Sequence, residues 1–573
     1  MRWSAEESSQ PVHDVTERRG VLVPMRDGTR LSLDIFLPAV DGPAPAILTI
    51  TPYDNNNERA TAKWWAARGY GFVAADLRGR YDSEGEYDTF DARHKTDGYD
   101  LVEWIAEQSW STGRVGMVGA SYGAWTQWWT ASTQPPHLVA IAPMVGQPDQ
   151  FENIPYQHGV IAGWLADWSA GMSGRAFQVT ERSWYSRDET APPSPFIETN
   201  RRRGFESAPW VEEMYRRNLS TDPYWQGISY QGPDGFARIR VPALCGTGWF
   251  DCAHAGSPLN YRGLRDHGGT EAARRSMLVI GAWNHTYNEP TADHDFGPEA
   301  IVDLNGLVLR WYDHHLKGID TGIDEEDPVR TFVMGSGTWR SSADWPLPET
   351  EFTSLYLAGD GELVGTLGPD ASDSYDYDPR TPTVETYDEN REHGGLMMGP
   401  IDTRSSAAGD DVLVFRTPPL TEAVEVIGPL EAVLFASTSA RDTDWYVRLV
   451  DIHPDGTSLL LADGALRARS ADPEDDGRFT SSRLIEVTPD EVRKYTVRFW
   501  RGTANRFEAG HRIGVEISSS WYPYFYPNFN TGADNLATVE LGDAVTAHQT
   551  IHHGASHPSH IVLPVVGAPA RRD

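Results

Sequence analysis

Along the first 145 residues, solid apolar runs alternate with amphipathic stretches. Val21–Pro38 reads as a hairpin closed at Asp27–Gly28. Pro45–Asp54 and Gly71–Gly79 have the unbroken apolar character of buried strands, and Thr61–Tyr70 between them reads as a helix stopped by Gly69. Asp97–Gln108 places Leu101, Val102, Ile105 and Ala106 on one helical face. Val115–Val118 is again strand-like, and a glycine-rich turn leads into a helix over Ala124–Ser132. Such alternation predicts a mostly parallel α/β sheet.

The pattern breaks over residues 146–240, where tryptophans, arginines and polar residues replace strand alternation, as in a helical insertion. It resumes over 241–349 with the strands Val241–Asp251 and Ser276–His285 and the helix Val302–Gly318. From 350 to 573, short runs alternate apolar and polar residues between Gly, Pro, Asp and Asn, which predicts an antiparallel sandwich or jelly roll. The expectation is therefore an α/β core in two pieces (1–145 and 241–349), a helical cap (146–240) and an all-β domain (350–573).

Composition narrows the function classes. A chain of 573 residues exceeds one hydrophobic core, and 21 Trp, 23 Tyr and 19 Phe need buried sites, which excludes a mainly disordered protein. The net charge of −33 repels phosphate backbones and anionic lipid, so nucleic-acid and membrane-surface binding are not expected. Lysine is confined to Lys63, Lys95, Lys317 and Lys494, and arginine supplies the remaining positive charge. With no apolar leader and no long apolar window, the expected location is the cytoplasm. Cys245 and Cys252 make no disulfide scaffold, and no Cys/His spacing points to zinc.

Gly119-Ala120-Ser121-Tyr122-Gly123 is a G-x-S-x-G between a strand and a helix, the setting of a nucleophile elbow. Its alternative is a glycine-rich turn with a structural serine. A serine nucleophile needs a base and an acid to orient it, and in this fold they follow in the order Ser, Asp/Glu, His. Asp251 and His285 stand at the ends of the two later strands, and the insertion accounts for the 130-residue gap from Ser121 to Asp251. The Tyr122 N–H, at the helix start, is one candidate oxyanion donor. The loop Thr51-Pro52-Tyr53-Asp54 has no glycine run, so the Tyr53 hydroxyl is the other; chemistry alone leaves Tyr53 equally a packing residue.

TPYD, DLRGRYDSEGEYD, GMVGASYGAWTQWW, TGWFDCAHAG, GAWNH, RWYDHHLKG and HPSHIVLPVV together resemble the X-prolyl dipeptidyl peptidase / cocaine esterase family of serine hydrolases from about Val21 to Val566. The resemblance implies an α/β-hydrolase core, a helical cap and a C-terminal jelly roll. It also implies Ser121 as nucleophile, Asp251 and His285 as its triad partners, and Tyr53 with Tyr122 as the oxyanion hole. Cocaine esterases of that family follow the triad acid with glycine and an aromatic; here Cys252 and Ala253 follow, which implies an enlarged or reshaped acyl pocket. By the same resemblance Trp168, Tyr156, Met397 and Met398 are candidate pocket residues; the two aromatics read equally as packing, and either methionine alone reads first as interdomain packing. The implied function is cleavage of a small-molecule carboxylic ester without metal or organic cofactor, and family analogy implies a homodimer. Two alternatives stand beside it: an amidase (X-Pro dipeptidyl peptidase, α-amino acid ester hydrolase or β-lactam acylase) and an inactive binding protein.

Overall fold

In the computed structural model, which describes residues 2–148, 150–178, 191–291, 294–385, 399–471 and 481–567, the N-terminal half folds around a ten-stranded sheet. Its first strands are β1 (Val15–Pro24), β2 (Arg30–Pro38), β3 (Ala44–Thr51), β4 (Gly71–Asp76), β5 (Ser111–Ala120) and β6 (Leu138–Met144). The insertion adds a small hairpin, β7 (Tyr156–Gln157) and β8 (Val160–Ala162). The sheet is completed by β9 (Leu244–Gly248), β10 (Met277–Gly281), β11 (Val329–Val333) and β12 (Thr338–Ser342). The strand order is β1-β2-β4-β3-β5-β6-β9-β10-β11-β12. The ladders from β4 through β11 are parallel, and the two edges are antiparallel.

Helices cover both faces, which is why these strands read as solid apolar runs rather than alternating ones. The first three are α1 (Arg59–Ala66), α2 (Arg93–Ala106) and α3 (Tyr122–Ser132). Ile47 of β3 belongs to the same buried cluster as Trp65 of α1 and Tyr312 of the helix Leu304–Lys317. Its neighbours Leu48 and Ile50 belong to the opposite cluster, with Leu101 of α2 and Trp125, Trp128 and Trp129 of α3. The tryptophan stripe behind the elbow is thus core, each ring at most 1% exposed.

The insertion contains α4 (Leu165–Met172) and four further short helices between Thr199 and Arg238. Its hairpin is completed from the far half of the chain: β8 pairs with Phe525–Tyr526, and the Gly163 N–H donates to the Tyr524 carbonyl at 2.9 Å. Strands of two and three residues carry no alternation signal, so the sequence pattern shows only the helices. After Thr350 the described chain is β-rich and mainly antiparallel, with parallel contacts at Glu362–Arg416 and Val384–Tyr522. Among the described residues no helix is long and apolar enough to cross a membrane.

Candidate active site

The turn after β5 is strained. Ser121 adopts φ 56° and ψ −118°, which an L-residue holds only when its surroundings impose it. Its N–H donates to the Met144 carbonyl of β6, and its carbonyl accepts from Ala124 N–H, both at 2.9 Å. A Cβ at Gly119 would lie 3.0 Å from the Gly123 carbonyl oxygen, so the small residues of the motif are a steric requirement. Ser121 is thereby lifted off the end of the sheet at the start of α3. Tyr122 is the first helical residue, so its N–H belongs to the donors that have no intrahelical partner.

β9 and β10 end three and four residues short of the predicted polar groups. Asp251 and His285 sit in the loops beyond, and the loops are tied together: Trp249 N–H donates to Gly281 O and Phe250 N–H to Trp283 O, each at 2.9 Å. That approach depends on Gly248, where a Cβ would stand 2.1 Å from the Trp283 carbonyl oxygen. The outcome is a contiguous chain of three side chains. His285 Nδ1 is 2.7 Å from Asp251 Oδ1, and Nε2 is 2.9 Å from Ser121 Oγ. A carboxylate can only accept, so Nδ1–H donates to Asp251 and Nε2 accepts from the serine hydroxyl.

Asp251 is fully buried, and its second oxygen and backbone surroundings are also used: Thr247 Oγ1–H donates to Oδ2 at 2.7 Å and Ala253 N–H to Oδ1 at 2.9 Å. Burial opposes ionisation there, but His285 and these donors outweigh it and hold the carboxyl below its ordinary range. For His285, burial disfavours the imidazolium while the Cys252 sulfur and the Asp251 carboxylate favour it, and the net direction is well upward. Burial also pushes the Cys252 thiol up, so near neutral pH the carboxylate is the partner that acts.

The remaining candidates fall around this group in different ways. Tyr53 is half-buried, and its hydroxyl oxygen accepts a hydrogen bond from Trp168 Nε1 at 3.0 Å. Burial raises its phenol above the usual value, which keeps the proton on the oxygen. Trp168 also stacks on the Tyr122 ring, centroids 6.5 Å apart. Cys252 Sγ stands 3.5 Å from His285 Nδ1, and the Cys252 carbonyl accepts from Asn153 Nδ2 at 2.9 Å. Ala253 is fully buried and meets Asp251 through its backbone. Tyr156 packs on Phe151 and donates its hydroxyl to the Tyr215 carbonyl at 2.7 Å. Met397 and Met398 lie outside the described residues.

Three residues here have no motif to announce them. Thr247 is a strand-end threonine like many others, and Asn153 lies 99 residues from the loop it anchors. Arg80, fully buried, donates from Nε to Pro52 O and from Nη1 to Met172 O, both at 3.0 Å. It thus ties the Tyr53 loop to the end of α4, the helix that carries Trp168. Its charge within an acidic loop (DLRGRYDSEG) marks it only in hindsight.

Residues 27–287, which span Ser121, Asp251 and His285, match the X-Pro dipeptidyl-peptidase (S15) family, and residues 321–562 match the C-terminal non-catalytic domain of the same peptidases. The cocaine esterase of Rhodococcus sp. is 35% identical over 95% of this chain and 98% of its own length. The chain belongs to the S15 family of hydrolases. Two solved structures superpose on nearly the whole chain. An aminopeptidase from a marine-sediment Thaumarchaeota archaeon superposes with a TM-score of 0.83 at 26% identity, over 98% of this chain and 97% of its own. An α-amino acid ester hydrolase reaches the same TM-score at 24% identity, over 97% of both chains, and supports the fold alone. The S15 fold of this chain is an α/β-hydrolase domain followed by a β-rich C-terminal domain.

Proposed function

We propose that this S15 hydrolase cleaves small carboxylic esters through a covalent acyl-enzyme on Ser121. The observation that carries the reading is His285, which reaches the Ser121 hydroxyl with one ring nitrogen and the buried Asp251 with the other. His285 Nε2 takes the hydroxyl proton as Oγ bonds to the ester carbonyl carbon. Charge develops on the carbonyl oxygen, where the Tyr122 N–H and the Tyr53 hydroxyl donate to it. Collapse breaks the carbon–alcohol bond, and His285 returns its proton to the leaving oxygen. Water then attacks the acyl carbon and gives a proton to His285; the Oγ–carbon bond breaks, His285 returns that proton to Oγ, and the acid is released. Asp251 holds the imidazole tautomer throughout without taking the proton.

Trp168 meets this group through Tyr53 and Cys252 meets it through His285, while the Ala253 backbone fixes the acid. Cys252 in place of a glycine adds a polarisable wall next to the imidazole and favours acyl groups that tolerate it. The substrate is a small uncharged or cationic molecule rather than a polyanion, in keeping with the net charge of −33.

A fluorophosphonate probe should label the purified chain on Ser121, and Ser121→Ala should abolish labelling while leaving the circular dichroism unchanged. A panel of aryl esters of increasing acyl length, run beside X-Pro p-nitroanilides, separates esterase from peptidase. Faster turnover of the anilides than of the esters would overturn the ester assignment while leaving the nucleophile in place.

A further inference from the structure

The register of the C-terminal sandwich brings together three side chains of metal-ligating type, two of them neighbours at the end of one strand and the third 60 residues beyond Asp451. The strands Asp444–Ile452 and Arg512–Ser518 are antiparallel, with Asp451 opposite Ile513 and Ile452 opposite Arg512. The next rung sets His453 across from His511. Strand residues two apart share a face, so Asp451 and His453 point the same way, with His511 beside them. The two imidazoles pack with centroids 4.4 Å apart. His511 Nδ1 is 2.8 Å from Asp451 Oδ1, and His453 Nε2 is 3.9 Å from Asp451 Oδ2, too long for a hydrogen bond. One potential ligand atom from each residue lies within 4.8 Å of the other two.

The surroundings suit an ion. Asn505 Nδ2 donates to Asp451 Oδ2 at 3.1 Å and fixes the carboxylate, as outer partners of metal ligands do. The Asp451 side chain is 5% exposed, but those of His453 and His511 are 29% and 19% exposed, so an ion enters from solvent without any opening of the fold.

We propose that Asp451, His453 and His511 bind a divalent transition-metal ion of the zinc class. Ligand bonds of about 2.0–2.2 Å place tetrahedral donors roughly 3.4 Å apart, which small side-chain rotations reach from the present cluster. Two imidazoles select zinc, cobalt, nickel or copper over calcium and magnesium. Where His511 ligates through Nδ1, the ion takes the place of the Nδ1–H that meets Asp451 Oδ1, and the ring carries its proton on Nε2.

Position gives the site a role. Asn505 forms a bridge to Met334, directly after β11 of the hydrolase sheet. From the hydrolase side, the loop after His285 brings His294, whose pKa is lowered by burial and then by neighbouring His453. The His294 ring meets Phe296 at 4.6 Å, and Phe296 stacks at 5.8 Å on Phe250, the residue before Asp251. An ion here is held by β-domain ligands alone, beside the backbone bridge through which Asn505 meets the hydrolase sheet.

The test uses the full chain without a histidine tag, stripped with EDTA and titrated with Co²⁺ and then Zn²⁺. Asp251, Cys252 and His285 form the other such cluster among the described residues, so the experiment must separate the two. Binding of about one Co²⁺ per chain with visible d–d bands, no thiolate charge-transfer band and a raised unfolding temperature is expected. His453→Ala and His511→Ala should each weaken binding at least tenfold, Asn505→Ala roughly tenfold, and His285→Ala should leave it intact. A cooperative unfolding transition of each metal-free variant verifies its fold. No binding up to about 1 mM, unchanged binding in His453→Ala with His511→Ala, or loss in His285→Ala alone would overturn the proposal; failure of the ester reading would leave it standing.

Discussion

The hydrogen bond from Trp168 Nε1 to the Tyr53 oxygen, 3.0 Å long, makes the oxyanion assignment quantitatively testable. The indole N–H occupies one lone pair of that oxygen and leaves the phenol proton to point elsewhere. If it points at the developing oxyanion, Tyr53→Phe removes one of two donors and should lower kcat by about 10²–10³, equivalent to about 2.7–4 kcal/mol. Trp168→Phe keeps Tyr53 but removes the bond that aims it. A neutral hydrogen bond contributes about 0.5–1.5 kcal/mol net, so the expected loss is about two- to tenfold. In the Tyr53→Phe background the same tryptophan change has no hydroxyl left to aim and should cost almost nothing in kcat.

The assay is steady-state hydrolysis of p-nitrophenyl acetate by the four proteins of the cycle. A small acyl group keeps the packing role of Trp168, which also stacks on Tyr122, mainly out of the rate. The interaction energy should come out at about 0.5–1.5 kcal/mol in kcat. A Tyr53→Phe enzyme within threefold of the parent refutes the donor role. A Trp168→Phe penalty that is the same in the parent and in the Tyr53→Phe background refutes the coupling and returns the tryptophan to pocket packing.

The base must be neutral to act, and the pKa of His285 lies well above the ordinary imidazole value, so kcat/KM should fall as pH drops through a limb placed above about 6.5. A limb at or below 6.5 contradicts the structure. Asp251→Asn removes the carboxylate but leaves the burial, so this limb should move down while kcat falls by about 10⁴; a pH profile of the slow variant checks both. Gly248→Ala puts a methyl where the Trp283 carbonyl already lies and should cost at least about 1–3 kcal/mol in urea unfolding, with a loss of activity as the His285 loop is pushed away. Gly123→Ala, whose nearest atom would be Ile50 O at 3.9 Å, is the matched control and should unfold within about 1 kcal/mol of the parent.

The elbow was legible because everything that makes it is local. A buried strand, two glycines and a helix start are consecutive in the chain, and steric exclusion around Gly119 leaves few other ways to place Ser121. Asp251 and His285 were legible one step less directly. Strand ends of a parallel sheet deliver side chains to one edge, so the two strands pointed to the right loops. The strands themselves stop at Gly248 and Gly281, because the two loops must approach closely enough to hydrogen-bond each other and cannot continue the ladder. The hairpin at Tyr156–Ala162 was hidden for the opposite reason: its third strand, Phe525–Tyr526, comes from the other end of the chain.

What sequence spacing misses is register, and the C-terminal sandwich makes the point sharply. Metal sites are recognisable in sequence when their ligands share one helix or one tight loop, because the spacing then follows the local repeat. Asp451 and His453 show only an alternation that any strand could carry, and His511 lies 60 residues beyond Asp451. The pairing that sets the histidines opposite each other is fixed by the whole ladder from Tyr446–Ser518 to Ile452–Arg512. A slip of one residue would turn His511 to the other face and dissolve the cluster. The same ladder buries Leu449 and Val450 against Val515 and Gly514, so the hydrophobic register that stabilises the sandwich also assembles the proposed ion site. It follows that metal affinity should track sandwich integrity: a core change such as Val515→Ala that loosens this ladder should weaken Co²⁺ binding even though it touches no ligand.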